Sequence, residues 1–225
     1  MQSNGQPANR NGFTLAELLV VIAIIAIMFL IALPALMDIA GQTKLDSAAN
    51  AVHSAAKLAR QFAVANNQPT YLVFNEGQTD AALAYRAYAV FTVDIHSPPV
   101  TQEDGEFLTP WEPLPPGVVF DATASEDNNN VFLVGGSWAG GFGRNRQLRV
   151  GNSTYVALGF KPTGTQNLAY THDIHLAEGF YDEVGKLVHT SVPGQGARIR
   201  IEGGGDSWIA PIVYDESGEI AEIAQ

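Results

Sequence analysis

A single carboxylate, Glu17, stands at the mouth of nineteen consecutive apolar residues, 18–36. A charge at bilayer depth costs roughly 2.5–3.5 kcal/mol or more, so an ionisable residue placed there calls for a partner. Other positions carry residue types that could bind or react. His172-Asp173-Ile174-His175 and Asp94-Ile95-His96 hold metal-ligating side chains. Residues three apart in a strand point to opposite faces, so His172 and His175 do not chelate together. Asp94 and His96 share a face, but two ligands do not complete a site. Surface histidines are expected. Glu126-Asp127 with Asn128, Asn129 and Asn130 offers oxygen ligands. It lacks the alternation and glycine of an EF-hand loop, so a solvated loop is expected. Serine, histidine and acid residues occur, yet no G-x-S-x-G motif collects them. A membrane-tethered periplasmic hydrolase is the enzymatic alternative.

Gly143-Arg144-Asn145-Arg146 and Arg198-Ile199-Arg200 are the basic clusters beyond the N-terminal segments. Arg198 and Arg200 alternate and so share one face of a strand, a geometry that could meet phosphates. Glu202 and Asp206 lie close by, and the chain has a net charge of −11. A solvated strand face is the expectation, and nucleic acid is disfavoured as a partner. Cysteine is absent, which excludes disulfides, thiolate metal sites and cysteine nucleophiles. No cofactor is implied.

These residues need elements to hold them. The chain has 225 residues, enough for one anchor and one moderate domain. Residues 1–12 are polar, without periodicity, and carry Arg10, a weak positive-inside signal for a cytoplasmic leader. The apolar run would span roughly 28 Å as a helix, close to the thickness of a bilayer core. Its length favours a transmembrane segment, residues 13–37, over a short signal-peptide core. Pro34 should bend this helix rather than end it. Residues 38–66 continue as an amphipathic half. Leu45, Ala49, Val52, Ala56, Ala59 and Ala63 recur every three or four positions, with Leu58 and Phe62 as a second apolar edge. Asn66-Asn67-Gln68-Pro69 supplies the stop.

Beyond Pro69 the period changes to two, and 22 glycines and 12 prolines in the chain indicate turn-rich β structure. Strands are expected at 71–75, 84–94, 118–121, 131–134, 147–150, 154–160, 173–176, 186–190, 197–202 and 208–214. Gly151-Asn152 signals a hairpin. The proline-rich stretch 97–117 reads as an irregular loop and 215–225 as an acidic tail. The fold class is α+β: a long N-terminal helix packed on an antiparallel β domain over 69–225.

Gly12-Phe13-Thr14-Leu15-Ala16-Glu17, followed by the long apolar run with Pro34 late in it, resembles the N-terminus of type IV prepilins and type II secretion pseudopilins. The resemblance implies cleavage between Gly12 and Phe13 by a prepilin peptidase, N-methylation of Phe13 and a role in assembly for Glu17. It also implies a helix kink at Pro34. The implied partners are that peptidase, other subunits through the N-terminal helix, an inner-membrane assembly platform and membrane lipid. The implied location is a single-pass inner-membrane protein, N-terminus cytoplasmic and C-terminal domain periplasmic, later part of a filament. Gly159-Phe160-Lys161-Pro162-Thr163-Gly164, Asp173-Ile174-His175-Leu176 and Gly196-Ala197-Arg198-Ile199-Arg200 are similar to the H-type minor pseudopilins and their GspH/FimT pilus relatives. In some of these relatives a basic motif near the C-terminus binds DNA for uptake, which makes Arg198 and Arg200 the residues for that alternative.

Overall fold

The computed structural model describes residues 15–77, 81–93, 105–124, 129–132, 147–167, 171–190 and 194–223, the side chains of 30–42, 81, 147, 222 and 223 excepted. The helix α1 runs Leu15–Asn66. The chain divides into two compact units, one ending at Gly41 and the other beginning at Gln42. In the first, every described side chain from 15 to 29 is exposed. Among the described residues no helix is long and apolar enough to cross a membrane. The remainder of the apolar run, including Pro34 and its expected kink, lies outside the described side chains.

The second unit is built on the alanine stripe. Leu45, Ala48, Ala49, Val52, Ala56, Ala59 and Ala63 are all buried. Small side chains let the helix axis come close to what it packs on, and alanine costs the helix nothing. The second apolar edge behaves differently, because Leu58 remains 43 % exposed and Phe62 half-buried. The helix ends where the sequence says it should. Asn67 takes φ 53°, and the Gln68 amide reaches back to the Ala63 carbonyl at 3.2 Å. That is a left-handed C-cap with Pro69 just beyond it.

The strands follow in order. They are β1 (Thr70–Phe74), β2 (Ala87–Val93), β3 (Gly105–Phe107), β4 (Glu112–Pro113), β5 (Val118–Phe120), β6 (Gln147–Val150), β7 (Ser153–Phe160), β8 (His172–Tyr181), β9 (Leu187–His189), β10 (Gly194–Ile201), β11 (Ser207–Tyr214) and β12 (Ile220–Ile223). One sheet has the order β3-β2-β1-β7-β6, with β4 on β2. The other runs β12-β11-β10-β8-β5, with β9 on β8. The pairings are antiparallel. Leu72, Phe74, Val156 and Leu158 from the first sheet meet Val118, Phe120, Ile174, Leu176 and Ile199 from the second, together with the helix stripe, in one core. Phe74 and Phe120 meet edge to face across it at 5.1 Å. Side chains of this size contribute about 1.5–3 kcal/mol each when fully buried.

Each sheet also buries part of its other face. Val73, Phe91 and Leu148 form a cluster on the first, Val119, Ile212 and Tyr214 on the second. Between β6 and β7, Gly151 takes φ 57° at the first turn position, the requirement of a II′ hairpin.

Four expectations need correction. Val131 and Phe132 form a turn rather than the start of a strand, and only Asn130 bridges to Asp173. The stretch 97–117 is not wholly irregular, since β3 and β4 pair with β2 inside it. Pro113 is tolerated there because β4 lies at the margin of the sheet. The acidic tail contains β12, added to β11 through Ile212↔Ile223 and Tyr214↔Ile220. Finally, β8 extends to Tyr181, because β9 pairs with its far end.

Candidate functional site

At the head of α1, Glu17 occupies the first helical turn. The unsatisfied amides there carry partial positive charge, which favours a carboxylate. The apolar side chains that follow are exposed to an extent foreign to a core: Leu15 81 %, Leu19 62 %, Ile25 47 % and Phe29 62 %. Among the described residues of their own unit nothing covers them, so this stretch of the helix is suited to a lipid or protein environment outside the chain. Gly12 and Phe13 lie outside the described residues.

In the second unit, the half-buried Arg60 organises the end of the helix. Its Nε donates to the Gly164 carbonyl at 2.8 Å, Nη1 to Gly205 at 2.9 Å and Nη2 to Gly204 at 3.2 Å. The Asp206 carboxylate stands 3.7 Å from Nη1 but is largely exposed, so the carbonyls carry the interaction. Gly164 closes the turn after β7, and Gly204 and Gly205 belong to the turn between β10 and β11. One side chain thus pins a turn from each sheet to the helix. Both turns need glycine. Gly164 has φ 81° and Gly205 φ 93°, and a Cβ on Gly205 would stand 2.5 Å from the Gly164 carbonyl oxygen. Arg60 lies off the apolar stripe of the helix, and the sequence gives it no further distinction. Its partners are backbone carbonyls, which leave no residue signature; the run Gly203-Gly204-Gly205 was the available hint.

Gln166 joins the same two sheets. Its side-chain amide donates to the carbonyls of Ile201 at 2.6 Å and Glu202 at 2.8 Å. About two helical turns before Arg60, His53 Nε2 lies 2.7 Å from the Ser207 hydroxyl on β11. Burial, then the nearby Lys57 charge, lowers the His53 pKa below its ordinary 6.5.

The basic and histidine candidates turn out differently from expectation. Arg200 forms a two-pronged pair with Asp173, Nε to Oδ1 at 2.8 Å and Nη2 to Oδ2 at 2.7 Å, and the Asp173 side chain has no exposure. Arg198, on the same face of β10, is 7 % exposed. The solvated strand face expected for this pair is therefore corrected: cross-strand register sets Arg200 opposite Asp173 and Arg198 opposite His175. His172 and His175 do lie on opposite faces of β8, as alternation requires. Both are buried, at 2 % and 3 %, which corrects the expectation of surface histidines. A central strand of a sheet covered on both sides gives neither parity access to water. Asp94, His96, Glu126, Asp127 and 143–146 lie outside the described residues.

A second polar centre surrounds Asp121, which is buried. Its Oδ1 accepts from the amides of Thr123 and Ala124, and its Oδ2 from the Tyr214 hydroxyl at 2.9 Å. Its acceptor capacity is thus taken up by the fold.

Neither the curated proteins nor the solved structures contain a match to this chain. Residues 7–33, which include the head of the exposed apolar helix, match the prokaryotic N-terminal methylation motif, so the chain carries a prepilin-type N-terminus.

Proposed function

We propose that the protein is a structural subunit of a type II secretion pseudopilus or type IV pilus, a minor subunit of the H-type group. A prepilin peptidase cuts between Gly12 and Phe13, Phe13 is N-methylated, and the mature chain enters the filament through its N-terminal helix. Before assembly it resides in the inner membrane as a single-pass protein with its β domain in the periplasm. Its partners are the peptidase, neighbouring subunits, the assembly platform and lipid. The observation that carries this reading is the methylation motif over 7–33, running into a helix whose apolar residues 15–29 are exposed. The H-type assignment is supported by the turn 160–164, which seats on the helix through Arg60. The DNA-uptake alternative draws little support from Arg198 and Arg200, since one is buried and the other is engaged by Asp173.

The test is intact-mass analysis of membrane-extracted protein from a host with the peptidase. The expected mass begins at methylated Phe13, and Gly12→Leu should abolish cutting. An uncut wild-type chain, or cleavage near Pro34, overturns the proposal.

A further inference from the structure

A groove of about 520 Å³ opens where the two sheets of the β unit come together, lined by Tyr85, Arg86, Gly117, Phe180, Tyr181 and Asp182 among others. Its volume lies within the range of small-ligand sites. Three observations set it apart from an ordinary surface depression. Arg86 is half-buried, its Nε is shut off from solvent without a hydrogen-bond partner, and no carboxylate pairs with its guanidinium among the described residues. Asp182 and Glu183 line the same groove, yet among the described residues neither forms an ion pair with this guanidinium. Next to it, Tyr85 is held at φ 55°, a left-handed conformation that non-glycine residues rarely adopt. The strain is maintained from both sides, by the Tyr85 amide on the Asn75 carbonyl at 2.7 Å and by the Phe120 amide on the Tyr85 carbonyl at 2.8 Å. Such strain clusters at ligand sites.

The third observation is the wall. Tyr85 packs on Tyr181 with ring centroids 4.7 Å apart, and Phe180 leaves 53 % of its surface in solvent. Gly117 and Gly179 add no side chain, and the Gly179 amide is taken by the Gly117 carbonyl at 2.9 Å. Asp182, whose Oδ1 accepts from the amides of Val184 and Lys186 in the β9 hairpin, and the exposed Glu183 also line the groove. The groove therefore combines a cation without an ion-pair partner among the described residues, aromatic surface and two carboxylates.

We propose that this groove binds a carboxylate carried on an aromatic or aliphatic body of one or two amino-acid residues, with Arg86 receiving the carboxylate and Tyr85, Tyr181 and Phe180 the body. A charge-assisted guanidinium–carboxylate contact supplies orientation, and the ring surface supplies burial. The same chemistry is offered by a chain terminus or by an acidic side chain beside an apolar one.

The experiment uses the full chain in detergent micelles and ligand-observed NMR. The probes are N-acetyl-phenylalanine, its neutral amide, and N-acetyl-Phe-Glu-amide, in which the carboxylate is internal. Either acid should bind and the neutral amide should not. Binding of the first acid alone assigns a chain terminus or free carboxylate, and binding of the second alone an acidic segment. Arg86→Gln should weaken binding by roughly tenfold or more, the loss expected for a charged hydrogen bond. Phe180→Ser, at an exposed position, should weaken it without disturbing the fold. Equal binding of acid and amide, or full binding by a folded Arg86→Gln protein, overturns the proposal, as does absence of binding by all three probes.

Discussion

Arg60 Nε and the Gly164 carbonyl oxygen stand 2.8 Å apart, joining a helix and a turn separated by about a hundred positions of sequence. The same guanidinium holds Gly204 and Gly205, so its removal strands three carbonyls at once. Arg60→Ala should destabilise the protein by about 2–4 kcal/mol, given about 1.5–3 kcal/mol for a hydrogen bond to a charged group and partial solvent access here. Arg60→Lys should recover little, because an ammonium lacks the planar fork that meets separate acceptors. Denaturant unfolding of the detergent-solubilised chain measures both.

Stability should fall with acidification through the histidine range. His53 and His189 both have pKa values below the ordinary 6.5, in each case chiefly from burial. The unfolded chain then binds more protons than the folded one, so the contribution is intact above pH 6.5 and is lost as pH falls toward the folded values. Unfolding midpoints at pH 7.5 and 5.5 should differ in that direction, and His53→Gln should reduce the difference. An unchanged slope in the variant would remove His53 from the account.

Asp173 is shut away from water beside Arg200. Arg200→Met leaves that carboxylate without its counter-charge and should cost about 3–5 kcal/mol, whereas Arg200→Met with Asp173→Leu should cost much less. A double-mutant cycle by chemical denaturation reads the coupling. Losses that add, the double variant costing the sum of its two single substitutions, would mean that the pair does not act as a unit.

Cleavage after Gly12 would create an amine at Phe13, largely cationic at neutral pH with a reference pKa of about 7.7–8.0. On the proposed function, Glu17 answers the amine of a neighbouring subunit. Glu17→Gln should leave processing and insertion intact while reducing crosslinking to filament partners. Normal crosslinking by the mature variant would make the charge dispensable and leave helix packing to hold the subunit.

The helix stripe and its end were legible because alanine spacing and Asn-Asn-Gln-Pro act locally. Most strands were legible to within a few residues for the same reason. What stayed hidden depends on register and on backbone. β12 pairs through main-chain groups amid acidic residues, so its composition argued against a strand. The burial of His172, His175 and Arg198 follows from a sheet covered on both faces, which alternation alone does not reveal. Asp173 and Arg200 are 27 positions apart, and only the pairing of β8 with β10 makes them neighbours. At the candidate site, the methylation motif was plain in the sequence, while the Arg60 anchorage was not.

The left-handed cap at Asn67 and the grip of Arg60 act on the same last two turns of α1. A helix advances about 100° and 1.5 Å with each residue. Fixing both its stopping point and its rotational phase leaves no slack for a residue gained or lost between Arg60 and Asn67. Such an indel would swing Leu45, Val52 and Ala59 away from the sheets together. Point substitutions in this stretch are graded in effect, but length changes are all-or-nothing. The end of the helix works as a keyed shaft, and the key tolerates wear better than it tolerates recutting.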